Sequence, residues 1–187
     1  MPTLDDIPIL VKNTALTGED TFAVSDNSSS GGSKVVKVPA ALVAMGYTHG
    51  WKVDTTCSQL AGQTTDVELM DLATNTIIRR VMMVCTEVFA GGSISACTAA
   101  VGTTADPDDW VDESNCFTGA TVPFLKENTG TAISTGEAFM HSVSSQKLEL
   151  QIVASSDDVS EATTGIIYVF ASLLDTTQLD DVTTTLA

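Results

Sequence analysis

Lys147-Leu148-Glu149-Leu150-Gln151-Ile152-Val153 alternates polar and apolar side chains, with Leu148, Leu150 and Ile152 on one side of an extended backbone. Successive residues of a strand point to opposite faces, so this spacing predicts a β-strand with one buried face. Gly165 to Leu174 has Ile167, Val169, Ala171 and Leu173 on one face and Ile166, Tyr168, Phe170 and Leu174 near the other. Apolar residues on both faces predict a strand buried on both sides at its middle. Ala154 to Thr164, between the two, reads as a polar acidic hairpin loop.

Working back toward the N-terminus, the same period recurs with interruptions. Asp66 to Leu72 carries Val67, Leu69 and, after a slip, Leu72. Thr76 to Phe89 is a long run in which Ile78, Val81, Met83, Val84, Val88 and Phe89 alternate imperfectly, which predicts a bulge or a strand crossing between sheets near Arg79 to Met82. A helix competes for this run, but its Ile, Val and Thr content and its end at Gly91 and Gly92 favour a strand. Ile94 to Val101 follows, with Ala96, Cys97 and Ala100 small enough for close sheet packing. A succession of strands separated by turn residues predicts an all-β sandwich or barrel. No repeat of solenoid or propeller length is present.

The N-terminal part contains a hairpin signal: Thr21 to Ser25, then the Asp, Asn, Ser and Gly run Asp26 to Ser33, then Lys34 to Val38 closed by Pro39. Pro39 with Ala40 to Val43 suits one short helical turn. An isolated two-stranded hairpin is marginal in water, so this part is expected to need another surface. The chain therefore divides into an N-terminal docking arm with a hairpin over residues 1–49, a β-body over 50–174, and a polar tail over 175–187.

Composition limits what such a body does. The chain has 187 residues, 43% hydrophobic and only 5% aromatic, with 24 acidic against 8 basic side chains and a formal charge of −16. Phosphate-backbone binding needs Lys or Arg to release counterions, so nucleic acid is a poor partner. The apolar fraction argues against disorder and for a charged, solvated coat around one main core. No apolar run reaches the roughly 20 residues of a membrane helix. Met1 to Leu10 carries Asp5 and Asp6 where a secretion signal is basic, so no membrane partner is expected. Cys57, Cys85, Cys97 and Cys116 are even in number, but none lie in a Cys-x-x-Cys pair. They read as reduced, small core residues, with a late disulfide left for geometry to decide.

Catalytic signatures are missing from the sequence. His49 and His141 lie in neither metal-ligand nor nucleophile-base spacing. Asp106, Asp108, Asp109, Asp112 and Glu113 could supply hard oxygens for calcium, but Pro107 interrupts them and Val111 stands where an EF-hand requires Gly. The plainer reading is an acidic solvated loop with Trp110 tucked into the sheet edge. Gly31-Gly32 and Gly91-Gly92 lack the Lys-Ser/Thr and helix that follow a phosphate-binding loop, and read as turns. We expect no catalytic residue, no metal and no cofactor.

Leu16 to Asp26, the Ser/Gly loop, Lys34 to Val38 and Leu42 resemble a short module of tailed-bacteriophage structural proteins. Val84 to Gly102, with Phe89 to Ser95, the loop through Asp109 to Gly119 and the closing strand Gly165 to Leu174 are similar to a β-sandwich of phage head and virion accessory proteins. The resemblance implies a capsid cement or decoration protein: a jelly-roll-like β-sandwich with an extended N-terminal arm. It further implies a homotrimer on the outer head surface that clamps neighbouring major capsid subunits, after assembly in the bacterial host cytoplasm. The interaction residues we expect are Leu4, Ile7, Ile9 and Leu10 as apolar anchors of the arm, with Phe22 and Val24 against Val36 and Val38 in the hairpin. Other readings of the same features are a head-fibre or tail component binding a host receptor, and a carbohydrate-binding β-sandwich with calcium at Asp106 to Glu113.

Overall fold

The computed structural model describes residues 21–25, 35–39, 46–74, 76–130, 140–141 and 146–175. Its strands are β1 (Thr21–Ser25), β2 (Val35–Pro39), β3 (His49–Asp54), β4 (Thr64–Leu72), β5 (Thr76–Ala90), β6 (Ala96–Thr103), β7 (Val111–Asn115), β8 (Phe124–Glu127), β9 (Met140–His141), β10 (Gln146–Ser155) and β11 (Thr164–Asp175). The arm strands β1 and β2 pair antiparallel with Phe22 opposite Val38 and Val24 opposite Val36. Leu4, Ile7, Ile9, Leu10 and the turn expected after Pro39 lie outside the described residues.

The long strands form two sheets, ordered β4-β10-β6-β7 and β3-β11-β5-β8, with the short β9 added beside β5. Counting only the eight long strands from β3 onward, the first pairs with the last, the second with the seventh, the third with the sixth and the fourth with the fifth. Every connection except β6 to β7 crosses from one sheet to the other. That is a long antiparallel hairpin rolled on itself, the jelly roll, which buries one face of each strand between the sheets.

The core follows from the alternation that opened the sequence reading. Leu148, Leu150 and Ile152 of β10 are fully buried and meet Ile167, Val169 and Ala171 of β11 within the same apolar cluster. Truncating one such leucine to alanine costs about 2–5 kcal/mol, so this seam alone is comparable with the net stability of a domain. The slip read between Leu69 and Leu72 is a bulge: Leu148 opposes Met70 while Glu149 opposes Glu68, which leaves Leu69 extra. In β5 the register shifts between Ser172 and Leu173, placing the extra residue at Arg79, within the stretch where the interrupted period predicted it. The bulge lets Ile78 and Val81 both face the core although they are three positions apart.

Several expectations are corrected. Ala154 to Thr164 is not a hairpin loop, because β10 and β11 belong to different sheets. It is a crossover with a single 3-10 turn, Val159–Glu161, whose Val159 is wholly buried and anchors the crossing. His49, the last residue assigned to the arm, opens β3. Trp110 does sit at the sheet edge, immediately before the edge strand β7, and its side chain is wholly buried in the core cluster. Its backbone is fixed by N–H donation to Val101 O at 3.0 Å and by acceptance from Gly130 N–H at 3.0 Å. β11 is fully buried along its inner side at Ile167, Val169 and Ala171, while on its outer side Ser172 is buried and the side chains of Ile166, Tyr168 and Phe170 remain partly exposed.

The edge at β4 is closed by a side chain. The Gln59 carboxamide accepts the Glu68 N–H at 2.8 Å and donates to the Glu68 carbonyl at 3.3 Å, as a neighbouring strand would. An unpaired strand edge invites pairing with other chains, and this plug removes one free donor and acceptor from it.

Candidate docking face

The outer side of the β3-β11-β5-β8 sheet is assembled from the half of the alternation that the core does not use. Register places Lys52, Tyr168, Val84 and Leu125 in one row across the four strands, and Gly50, Phe170, Met82 and Glu127 in the next. Neighbouring strands lie about 4.8 Å apart, so each row is a continuous stripe of contacting side chains. Leu125 is 56% exposed and is one of the large hydrophobic residues that the fold leaves to solvent.

Aromatic packing levels this surface. The Tyr168 and Phe170 rings stack with centroids 6.3 Å apart and planes 4° from parallel, and Tyr47 meets Phe170 edge-on at 6.3 Å. Phe170 lies directly over Gly50, where a Cβ would come within 2.8 Å of its ring. The absence of a side chain at Gly50 therefore allows the ring to lie flat on the strand beside it. Met82, in the same row, is only 3% exposed.

Two sets of paired charges border the stripe, and the exposed Glu87 stands opposite Ile166 beside one of them. The Tyr47 hydroxyl donates to Glu127 Oε1 at 2.6 Å, and Arg80 Nη2 lies 2.6 Å from the same oxygen. The Arg80 guanidinium sits 5.5 Å from the Tyr47 ring centre, close enough for cation-π attraction. Burial, followed by the bond to Glu127, holds the Tyr47 hydroxyl well above the usual phenol range, so it remains a donor at every working pH. At the opposite border Lys52 Nζ is 2.7 Å from Asp54, whose carboxyl is lowered to about 2 chiefly by the bond from Lys52 and then by bonds from Thr56. The result is an apolar centre between two rims of largely paired charge, the layout of a protein-binding patch.

The outer side of the β4-β10-β6-β7 sheet is different in kind. Asp66 and Gln151 oppose each other there, as do Glu68 and Glu149. Gln151 Nε2 donates to Asp66 at 2.9 Å, Thr98 donates to Glu113 at 2.6 Å, and Lys147 pairs with Glu68. Burial, then the Asp66 charge, raises the Glu149 carboxyl. The acidic segment after β6 folds back over this side, its Asp106 carbonyl and Pro107 occupying the space a side chain at Gly102 would need. A hydrogen bond with Asp106 raises the Asp108 carboxyl. Among the described residues no group of three or more His, Cys, Asp or Glu is placed to hold a metal ion.

The expected interaction residues Phe22, Val24, Val36 and Val38 lie on β1 and β2, away in sequence from this patch, while Leu4, Ile7, Ile9 and Leu10 fall outside the described residues. The sequence reading did not single out as interaction residues Tyr168, Phe170, Val84 and Leu125, which the register brings together on this side. Their signal was present in the apolar second face of Gly165 to Leu174, which was read as burial beneath another layer. His49 stacks on Trp51 at 5.9 Å and shares a 2.8 Å hydrogen bond with Thr48. The surface groove along Asp71, Thr104, Gln146, Lys147 and Glu149, about 440 Å³, is open and acidic and contains no nucleophile-base pair. No helix among the described residues is long and apolar enough to cross a membrane.

No protein-family model matches the chain, and a search of curated proteins returns no match. Among solved structures, the chain is similar to one from the capsid of Ralstonia phage GP4, with a TM-score of 0.40 and 15% identity, covering 67% of this chain and 82% of that one. It is likewise similar to a chain of the Cyanophage Pam1 capsid asymmetric unit, with a TM-score of 0.44 and 10% identity, covering 66% of this chain and 80% of that one.

Proposed function

We propose that the protein is a non-enzymatic virion structural component of a tailed bacteriophage, a cement or decoration protein that binds the outer head surface and clamps neighbouring major capsid subunits. The observation that carries this reading is the two-sided jelly roll, with one outer side an apolar aromatic patch bordered by largely paired charges and the other acidic and hydrated. A clamp needs one adhesive side and one side that stays in water, and acidic outer sides keep particles apart by mutual repulsion. The phage structural motifs in the sequence point the same way.

In this reading the patch of Tyr168, Phe170, Val84 and Leu125 seats on the capsid. The arm over residues 1–49 adds its hairpin, with Phe22, Val24, Val36 and Val38, to a neighbouring sheet edge, and Leu4, Ile7, Ile9 and Leu10 anchor it. A homotrimer presents three such units at once, so weak individual contacts sum to avid binding. A ligand that binds only the expanded lattice stabilises that lattice by mass action, which is the physical content of cementing.

Light scattering of the purified protein and co-sedimentation with expanded, DNA-filled heads of the phage that encodes it test the proposal. A trimer that pellets with the heads and raises their resistance to heat supports it. A monomer that stays in the supernatant refutes it.

A further inference from the structure

Cys97 of β6 and Cys116, just beyond β7, face each other across the sheet. The ladder pairs Ala99 with Ser114 and Thr98 with Asn115, and one step further the Cys116 N–H donates to the Cys97 carbonyl at 3.0 Å. Directly opposed residues of an antiparallel pair have Cα atoms about 4.5–5.5 Å apart. That lies inside the roughly 4.4–6.8 Å that a disulfide spans. Both side chains point into the core, 1% and 0% exposed, and the Cys116 thiol donates to Cys97 Sγ at 3.4 Å. Cys85 is buried near both, close enough to interact electrostatically with each, but its thiol donates to the Glu87 carbonyl at 3.3 Å, and Cys57 is half-buried against the core cluster.

We propose that Cys97 and Cys116 are a modification site, forming an intramolecular disulfide by exchange with a small-molecule disulfide such as oxidised glutathione. The Cys97 thiolate attacks one glutathione sulfur, making a mixed disulfide and expelling the first glutathione thiolate. Cys116 then loses its proton and attacks the Cys97 sulfur, closing the protein disulfide and expelling the second. The protons released by the two protein thiols end on the two glutathione thiols, so one disulfide is reduced as one is formed. The order follows from the hydrogen bond: donation from Cys116 favours the thiolate on Cys97, whereas that donation and burial hold Cys116 high. Entry of the oxidant needs only local opening at β7, a short strand at the sheet edge. The bond closes a loop that contains the whole acidic segment Asp106 to Glu113 and ties edge strand β7 to β6, restricting the unfolded chain.

The test incubates the folded full-length protein with oxidised glutathione, and a second sample is unfolded and refolded in it so that burial does not limit access. The thiols titrated in denaturant are expected to fall in both samples from the four of the sequence to those of Cys57 and Cys85 alone. Chymotryptic cleavage after Phe89, Trp110 and Phe117 is expected to leave the fragment bearing Cys97 joined to the fragment bearing Cys116. The oxidised protein is expected to melt above its reduced form. Four titratable thiols in either sample, a crosslink to Cys57 or Cys85, or an unchanged melting temperature would each overturn the proposal. The thiol count needs no variant, and Cys57→Ser, at a half-buried position, is expected to leave the crosslink in place.

Discussion

The two outer sides of the sandwich obey the same alternation and present opposite chemistry. On the β3-β11-β5-β8 side the outward positions are Tyr168, Phe170, Met82, Val84 and Leu125; on the β4-β10-β6-β7 side they are Asp66, Glu68, Glu149 and Gln151. The inner positions of both sheets are mostly apolar, with the buried threonines Thr65, Thr76 and Thr103 toward the strand ends. Folding therefore explains the inside of the molecule, and the difference between the outsides is what remains for function to explain. Much of the charge that borders the apolar side is neutralised locally, by Arg80 and Tyr47 on Glu127 and by Lys52 on Asp54, with Glu87 opposite Ile166 left as an acidic group at the border.

The sharpest way to break the comparison is to give one side the chemistry of the other. Tyr168→Glu with Leu125→Glu is expected to weaken co-sedimentation with heads by at least about a hundredfold, as loss of central interface anchors does, while circular dichroism stays native. Asp66→Asn with Glu149→Gln, on the acidic side, is expected to change it by less than about twofold, within the range of rim charges. Equal losses from the two pairs would end the distinction between the sides.

Smaller effects sharpen it. Gly50→Ala places a Cβ against the Phe170 ring, and overpacking of this kind costs about 1–3 kcal/mol, measurable as a lower urea midpoint with an unchanged slope. Tyr47→Phe removes the hydroxyl from Glu127 but leaves Arg80 on that carboxylate, for a loss of about 1 kcal/mol by the same measurement. The smallest effects are electrostatic and opposite in sign. Asp54 has a folded-state pKa of about 2, below its unfolded value, so its contribution is present above the unfolded pKa and is lost as pH falls toward 2. Asp54→Asn should slightly lower the melting temperature at neutral pH and flatten its acid dependence, by less than about 1 kcal/mol for a surface pair. Glu149 is raised in the fold, so its ionisation opposes folding and stability falls as pH rises through its folded pKa. Glu149→Gln should therefore slightly raise the melting temperature at neutral pH.

How far the fold could be read in advance depends on how local each signal is. β10 and β11 were legible because each carries enough apolar alternation to declare its inner face by itself. The bulges in β4 and β5 were legible as breaks in the period at Leu69 to Leu72 and at Arg79 to Met82. β7 and β8 were not: Val-Asp-Glu-Ser-Asn and Phe-Leu-Lys-Glu are too short and polar to alternate, and become strands because β6 and β5 offer them hydrogen-bonding partners. The crossover at Val159 was mistaken for a hairpin loop because one buried side chain among acidic neighbours leaves no periodic trace.

By itself the sequence determined that the body is all-β and that one face of its main strands is apolar. These are consequences of composition and of a two-residue period, which act within a few neighbours along the chain. Only the tertiary structure decided that β10 and β11 lie in opposite sheets, that Cys97 faces Cys116, and that the second apolar side of β11 gathers with Val84 and Leu125 into one patch. Each of these depends on pairing between residues distant in sequence, where register rather than residue type determines which side chains meet.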